Sequence, residues 1–158
     1  MANTQSMCTS FMSELMTGTH NFGTAPIRAA TTADTFKAAL YLASATINAS
    51  TTAYSATGEV SGTGYSPGGV TVTNATPPAS TNTSSTAGTA YWTPSASISY
   101  TTVTLTTAFD AVLIYNSTQS DKAVSVHTFG SQTVTAGTFT LTMPSNTTST
   151  ALLRLATT

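Results

Sequence analysis

The sequence predicts an all-β fold: a single sandwich or jelly-roll-like domain of about seven to nine short antiparallel strands, with a short N-terminal helix. Two observations favour it. Short runs in which apolar residues alternate with polar ones recur along the chain, and turn-forming residues separate them. Thr, Ser and Ala make up more than half of the chain. Because Thr is β-branched, it favours the pleated, half-hydrated surface of a strand.

The first predicted element is a helix over residues 4–17. An apolar stripe recurs every four residues, and Gly18 stands where a helix-terminating glycine is expected. The stripe and its neighbours comprise Met7, Phe11, Met12, Leu15 and Met16. The chain therefore divides into an N-terminal helical arm, residues 1–18, and a β-sandwich domain, residues 19–158. The helix has two interpretations: it covers one end of a sheet, or it docks on a partner subunit, and a Met-rich face suits either.

Residues 18–34 lack a period and are predicted to be a loop, in which His20 makes hydrogen bonds rather than binding a metal. The first strand is predicted over residues 35–42, where apolar residues alternate between two faces. Ala and Leu also favour helices, so a helix is the competing interpretation. Residues 43–69 turn repeatedly and place Tyr54 and Tyr65 among glycine-rich turns.

Past a short strand at residues 70–73, the low-complexity segment 74–89 is predicted to be a long exposed hairpin loop. Strand character resumes over residues 90–106, which include Trp92. The apolar positions change parity near Thr101 and Thr102, so we expect a β-bulge or kink there.

The clearest local pattern lies between Phe109 and Pro144. Residues 109–115 are apolar on both faces, so this strand is predicted to be central and covered on both sides. A polar turn at residues 116–121 precedes a strand at 122–129. Asp110 is expected to pair with Lys122 across this hairpin.

One further turn is predicted beyond that hairpin, at Gly130 and Ser131, before a short strand at 132–135. Ala136 and Gly137 then precede a half-exposed strand at 138–143. A closing strand is predicted at 151–156, with Arg154 facing solvent or a partner.

The low charge limits the classes of function. Asp, Glu, Lys and Arg make up 6% of the chain, where about 25% is typical. Four basic residues spread along the chain form no phosphate-binding patch, so we expect no nucleic-acid partner. No apolar run approaches the roughly 18 residues of a membrane-spanning helix, and the N-terminus lacks the pattern of a secretory signal. With a net charge of −1, much of the surface is expected to be covered by other subunits.

The residue inventory predicts no enzyme, no cofactor and no metal site. The single Cys8 excludes an internal disulfide. His127 shares a strand face with Ser125, and Asp121 lies upstream, but such a trio is expected by chance in a chain so rich in hydroxyl residues. That pair would point outward from the sheet with no evident oxyanion hole.

Three segments carry a family resemblance: TTAYSATGEVSGTGY at 51–65, AVLIYNSTQSDKAVSV at 111–126 and TAGTFTLTMP at 135–144. With THNFG at 19–23, they make most of the chain similar to a family of small virion structural proteins of tailed bacteriophages. Segment 74–89 is the least family-like. The resemblance implies a non-enzymatic particle component with no catalytic residues.

Within the particle, the resemblance favours a capsid decoration, or cement, protein that binds and stabilises the head shell. Its expected partners are the major capsid protein and further copies of itself, for example as a trimer, in a virion assembled in the host cytoplasm. A tail or fibre component, an adaptor or receptor-binding tip, is the alternative, with Tyr65, Tyr91 and Trp92 as sugar-stacking candidates. The candidate partner-contact residues are Met7, Phe11, Met12, Leu15, Tyr54, Tyr65 and Trp92.

Overall fold

The computed structural model describes residues 3–16, 18–22, 33–81 and 88–156. Much of the predicted loop at 18–34, with Arg28, and the tip of segment 74–89 lie outside these ranges. The described chain forms eight strands and one helix. In order, they are β1 (Ser6–Met7), α1 (Thr9–Met16), β2 (Phe36–Leu42), β3 (Val70–Thr71), β4 (Ala79–Ser80), β5 (Thr89–Trp92), β6 (Ile98–Asn116), β7 (Lys122–Leu141) and β8 (Leu153–Ala156).

The strands form two antiparallel sheets, and the predicted all-β sandwich class is confirmed. The larger sheet has the order β1-β7-β6-β2-β3, and the smaller has the order β4-β5-β8. Trp92 of β5 joins the two, since its ring lies 4.7 Å from Phe22 and 6.2 Å from Phe36 of β2 between ring centroids. The core therefore continues from the larger sheet into the smaller one.

Strands β6 and β2 form the centre of the larger sheet. Every residue of β6 from Ala111 to Asn116 is buried, which confirms the prediction of a strand covered on both faces. The predicted strand at 35–42 is confirmed as β2, which pairs with this section of β6. Because both faces of this section are apolar, burial of both faces stabilises it, and that requires a covering layer on each side of the sheet.

The turn predicted at Gly130 and Ser131 is wrong, as is the division into separate strands at 132–135 and 138–143. β7 continues as one strand from Lys122 to Leu141, paired along its length with β6. Gly130 and Ala136 have positive φ angles of 78° and 47° and lie where the register with β6 shifts. They are therefore bulges that bend the strand. The bulge expected near Thr101 is confirmed: the register shifts between Tyr100 and Val103, and Thr102 has a φ of 56°.

The N-terminal helix is shorter than predicted. It begins at Thr9, and the preceding residues form β1, which pairs Met7 with Ser125 of β7. Its predicted end is confirmed: the Gly18 N–H donates to the Leu15 carbonyl and the Thr19 N–H to the Glu14 carbonyl, the two bonds of a Schellman motif.

The rest of this segment is also joined to the domain. Asn3 donates to the Leu42 carbonyl and to Asp110, and its side-chain oxygen accepts from the Ile47 N–H. The Thr9 N–H donates to the Ala49 carbonyl. Residues 3–16 therefore pack on the same chain.

The predicted pairing of Asp110 with Lys122 is also wrong. Asp110 accepts a 2.6 Å hydrogen bond from Asn3, whereas Lys122 Nζ lies 2.6 Å from Glu14 Oε1. Lys122 pairs in register with Asn116, six residues beyond Asp110 along β6, and this offset separates the two charges.

Candidate functional site

A buried polar network positions α1 and the loop that follows it. His20 Nε2 lies 2.7 Å from Glu14 Oε2, and His20 Nδ1 lies 3.0 Å from the Asn116 side-chain nitrogen. Because the amide nitrogen of Asn116 can only donate, Nδ1 accepts, and Nε2 carries the proton that it donates to Glu14. His20 thus has the hydrogen-bonding role predicted for it, as a neutral side chain.

The electrostatics of this network agree with its geometry. Burial lowers the pKa of His20, although Glu14 opposes the shift. Burial alone would raise the pKa of Glu14, but hydrogen bonds from Lys122 and His20 lower it. Asn116 also donates to Asp34 at 2.8 Å, so the network extends to the start of β2. Its polar groups are hydrogen-bonded to one another, which indicates that the network serves to hold the fold together.

An apolar groove lies between the N-terminal segment and the smaller sheet. Met7, Phe11 and Leu15 form one wall, and Tyr91, Leu153 and Leu155 contribute to the other. It encloses about 90 Å³, and its accessible wall is apolar. The side chain of Leu155 is 42% exposed and that of Met12, on α1, is 47% exposed. These two are the exposed large apolar side chains of the described residues.

The structure brings four of the predicted partner-contact residues together at this groove: Met7, Phe11, Leu15 and Trp92. Phe11 and Trp92 are 2% and 3% exposed, so they support the groove from the core and offer little surface to a partner. The Trp92 indole N–H donates to Asn74 and to the Thr76 carbonyl. Its ring is therefore not available for sugar stacking.

Tyr54 and Tyr65 belong to a separate polar cluster around Glu59. The Tyr54 and Tyr65 hydroxyls donate to the Glu59 carboxylate at 2.6 and 2.7 Å, and the Gly68 N–H adds a bond of 2.8 Å. Burial and the bond to Glu59 raise the pKa of both phenols. The Tyr65 hydroxyl also accepts from the Leu40 N–H. The cluster anchors the loop of residues 54–68 on β2.

Ser125 and His127 form a hydrogen-bonded pair, with 2.9 Å between Ser125 Oγ and His127 Nε2. Contrary to the expected outward orientation, Ser125 is 1% exposed, and the pair lines a cavity together with the C-terminal segment around Leu152. Burial lowers the pKa of His127 to about 4. No described acidic side chain bonds to this imidazole, so the pair lacks the orienting acid of a hydrolytic triad.

The described ranges contain no group of three or more His, Cys, Asp and Glu side chains that could hold a metal ion. Within these ranges, no helix is both long and apolar enough to span a bilayer. Cys8 is fully buried, and burial raises the pKa of its thiol to about 11.

Leu155 is an exposed groove residue that the sequence did not single out. Its neighbours in the sequence indicate only a closing strand, and nothing local shows that β8 pairs with β5 beside α1. The predicted stripe on the helix did identify the opposite wall. Comparison of this chain with protein-family models, with curated proteins and with solved structures found no match.

Proposed function

We propose that this chain is a non-enzymatic virion structural protein of a tailed bacteriophage, acting as a capsid decoration protein. It binds the major capsid protein, associates with further copies of itself and stabilises the head shell. The observation that carries this proposal is the apolar groove, whose wall includes the exposed Leu155, together with the exposed Met12 on α1. An exposed apolar patch beside a buried apolar floor is typical of a protein–protein contact.

The charge distribution supports the same proposal. No Asp, Glu, Lys or Arg occurs between Glu59 and Asp110, or between Lys122 and Arg154. Uncharged surface loses little hydration free energy when a neighbouring subunit covers it. Binding to the assembled shell alone would stabilise that shell by mass action.

The test uses shells of the phage that encodes this chain, prepared without the protein. Purified protein should co-sediment with these shells and raise the temperature at which they release DNA. A variant carrying Met12→Asp and Leu155→Asp should bind at least about tenfold more weakly, because two charges would be desolvated in the contact. Thr57→Asp, on another exposed loop, is the matched control and should bind as the wild type does.

Labelling the protein in intact particles distinguishes a decoration protein of the head from a tail or fibre component. Label on the head supports the decoration role. Label confined to the tail would instead assign the chain to a tail or fibre component, and failure to bind shells would agree with that outcome.

A further inference from the structure

The outer edge of β7 is largely unpaired. Its neighbour on that side, β1, pairs only with Ser125 and Val126. Past these residues, the part of the chain that the structure describes makes no main-chain hydrogen bond to the outer edge of β7 as far as Leu141. A strand edge of this length presents a row of N–H and C=O groups that only another extended chain can satisfy regularly.

The other edge of the β6–β7 ribbon is covered. Thr63 forms a bridge with Thr104 of β6, and the Thr104 N–H donates to the Thr63 carbonyl at 2.9 Å. The loop lies so close that a Cβ on Gly62 would come within 2.1 Å of the Thr104 carbonyl oxygen. The ribbon is thus covered on the β6 side around Thr104, whereas its β7 side is open in the described part of the chain.

The open edge lacks two of the usual protections against strand pairing. Natural edge strands often carry Lys or Pro, but residues 128–141 contain neither, nor any other charged residue. Thr138 and Thr140 are exposed, whereas Phe139 and Leu141 are half-buried against the ribbon. The section from Phe139 to Leu141 pairs with β6 without a register shift.

We infer that this edge, centred on residues 138–141, pairs antiparallel with the same edge of a second copy of the chain. The inference rests on the self-association in the proposed function and identifies the surface responsible. Antiparallel pairing about a two-fold axis brings each edge against itself. With no charge on the edge, no like charges oppose one another, and threonines can pair across the strands.

Pairing about a two-fold axis uses the β7 edge of both copies, so the contact closes at two, and the bulges limit its length. Gly130 and Ala136 interrupt the regular pairing of β7, and bulges twist an edge away from a flat partner. A second copy can therefore pair over the short regular section, while an extended sheet of many copies is disfavoured. The expected complex is a dimer, unlike the trimer considered from the family resemblance.

Analytical ultracentrifugation of the full chain over a range of concentrations tests the inference. The wild type should sediment as a dimer, and the double variant T138K/T140K should associate about tenfold more weakly because like charges face each other. A variant carrying T138E/T140E should also be weakened. An equimolar mixture of the Lys and Glu variants should recover mixed dimers, which a merely misfolded variant could not do.

Two lysines elsewhere provide the control. Thr57→Lys with Ser61→Lys, both at exposed positions, should leave the dimer intact. A wild type that is monomeric or trimeric throughout, or a T138K/T140K variant that associates as tightly as the wild type, would overturn the inference. If the wild type is a monomer that still binds shells, the edge contact is rejected and the decoration role is retained. If it is a dimer that binds no shells, the decoration role is rejected and the edge contact is retained.

Discussion

Two histidines, His20 and His127, are held neutral by burial. Burial lowers the pKa of both, that of His127 to about 4. An unfolded histidine has a pKa of about 6.5. Below that pH the unfolded chain binds protons that the folded chain does not, so stability must fall as the pH falls. Glu14, whose pKa is also lowered, adds to this loss only under more acidic conditions.

Acidification from pH 7 to pH 5 should therefore lower the free energy of unfolding, with about 1–2 kcal/mol of the loss due to His127. Urea denaturation at a series of pH values measures this. His127→Gln removes one titrating group and leaves His20 in place, so its stability should depend less steeply on pH. Identical pH dependence in the variant and the wild type would contradict the shifted pKa.

At the scale of single elements, α1 has one buried face and one exposed face. Phe11 is 2% exposed and its ring centroid lies 4.9 Å from His20 and 5.9 Å from Phe22, whereas Met12, the next residue, is 47% exposed. The first belongs to the core, while the second can meet a partner. Under the proposed function, neighbouring positions of one helix therefore serve stability and partner binding separately.

Phe11→Ala should destabilise the protein by about 3–5 kcal/mol, because it leaves a cavity in the aromatic cluster. Met12→Ala should change stability by no more than about 0.5 kcal/mol. Both free energies come from urea denaturation followed by circular dichroism. A small effect of Phe11→Ala would show that the helix is not docked on its own chain in solution.

At the scale of the whole molecule, the main feature is the junction at which the two sheets pack together. Trp92, the only tryptophan, belongs to the smaller sheet, is 3% exposed and packs against the rings of Phe22 and of Phe36 in the larger sheet. Its fluorescence therefore reports on that junction, while far-UV circular dichroism reports mainly on the larger sheet, which holds most of the strand residues.

If the sheets share one core, fluorescence and circular dichroism should give coincident urea transitions, as expected for two-state unfolding. Trp92→Phe keeps much of the packing, and its circular dichroism transition serves as the control for the role of the indole bonds to Asn74 and Thr76. A fluorescence transition at lower urea concentration would mean that the smaller sheet unfolds separately.

Local patterns account for the predictions that were confirmed. Apolar residues on both faces identified the buried section of β6, a change of parity identified the bulge at Thr102, and Gly18 identified the end of α1. Each of these signals depends on residues close together in the sequence.

The errors have a common origin in long-range pairing. Gly130 and Ala136 have the residue types of turns, but their neighbours remain paired with β6, which makes them bulges. Met7 matches a helical stripe, but it pairs with Ser125, more than a hundred residues away in the sequence. Such pairing competes with local propensity and can prevail over it.

The candidate site was also predicted where the signal is local and missed where it depends on long-range contacts. The helical stripe predicted one wall of the groove, and Trp92 was identified as its neighbour only in the folded chain. Tyr54 and Tyr65 lie away from the groove because their hydroxyls donate hydrogen bonds to Glu59.

By itself, the sequence determined the all-β class, the central strand and the low charge, because period, turn chemistry and composition are local properties. The tertiary structure decided which aromatic residues are buried, which acidic residue Lys122 contacts, and which strand edge remains open. These depend on the register and order of strands, and therefore on contacts between residues far apart in the chain.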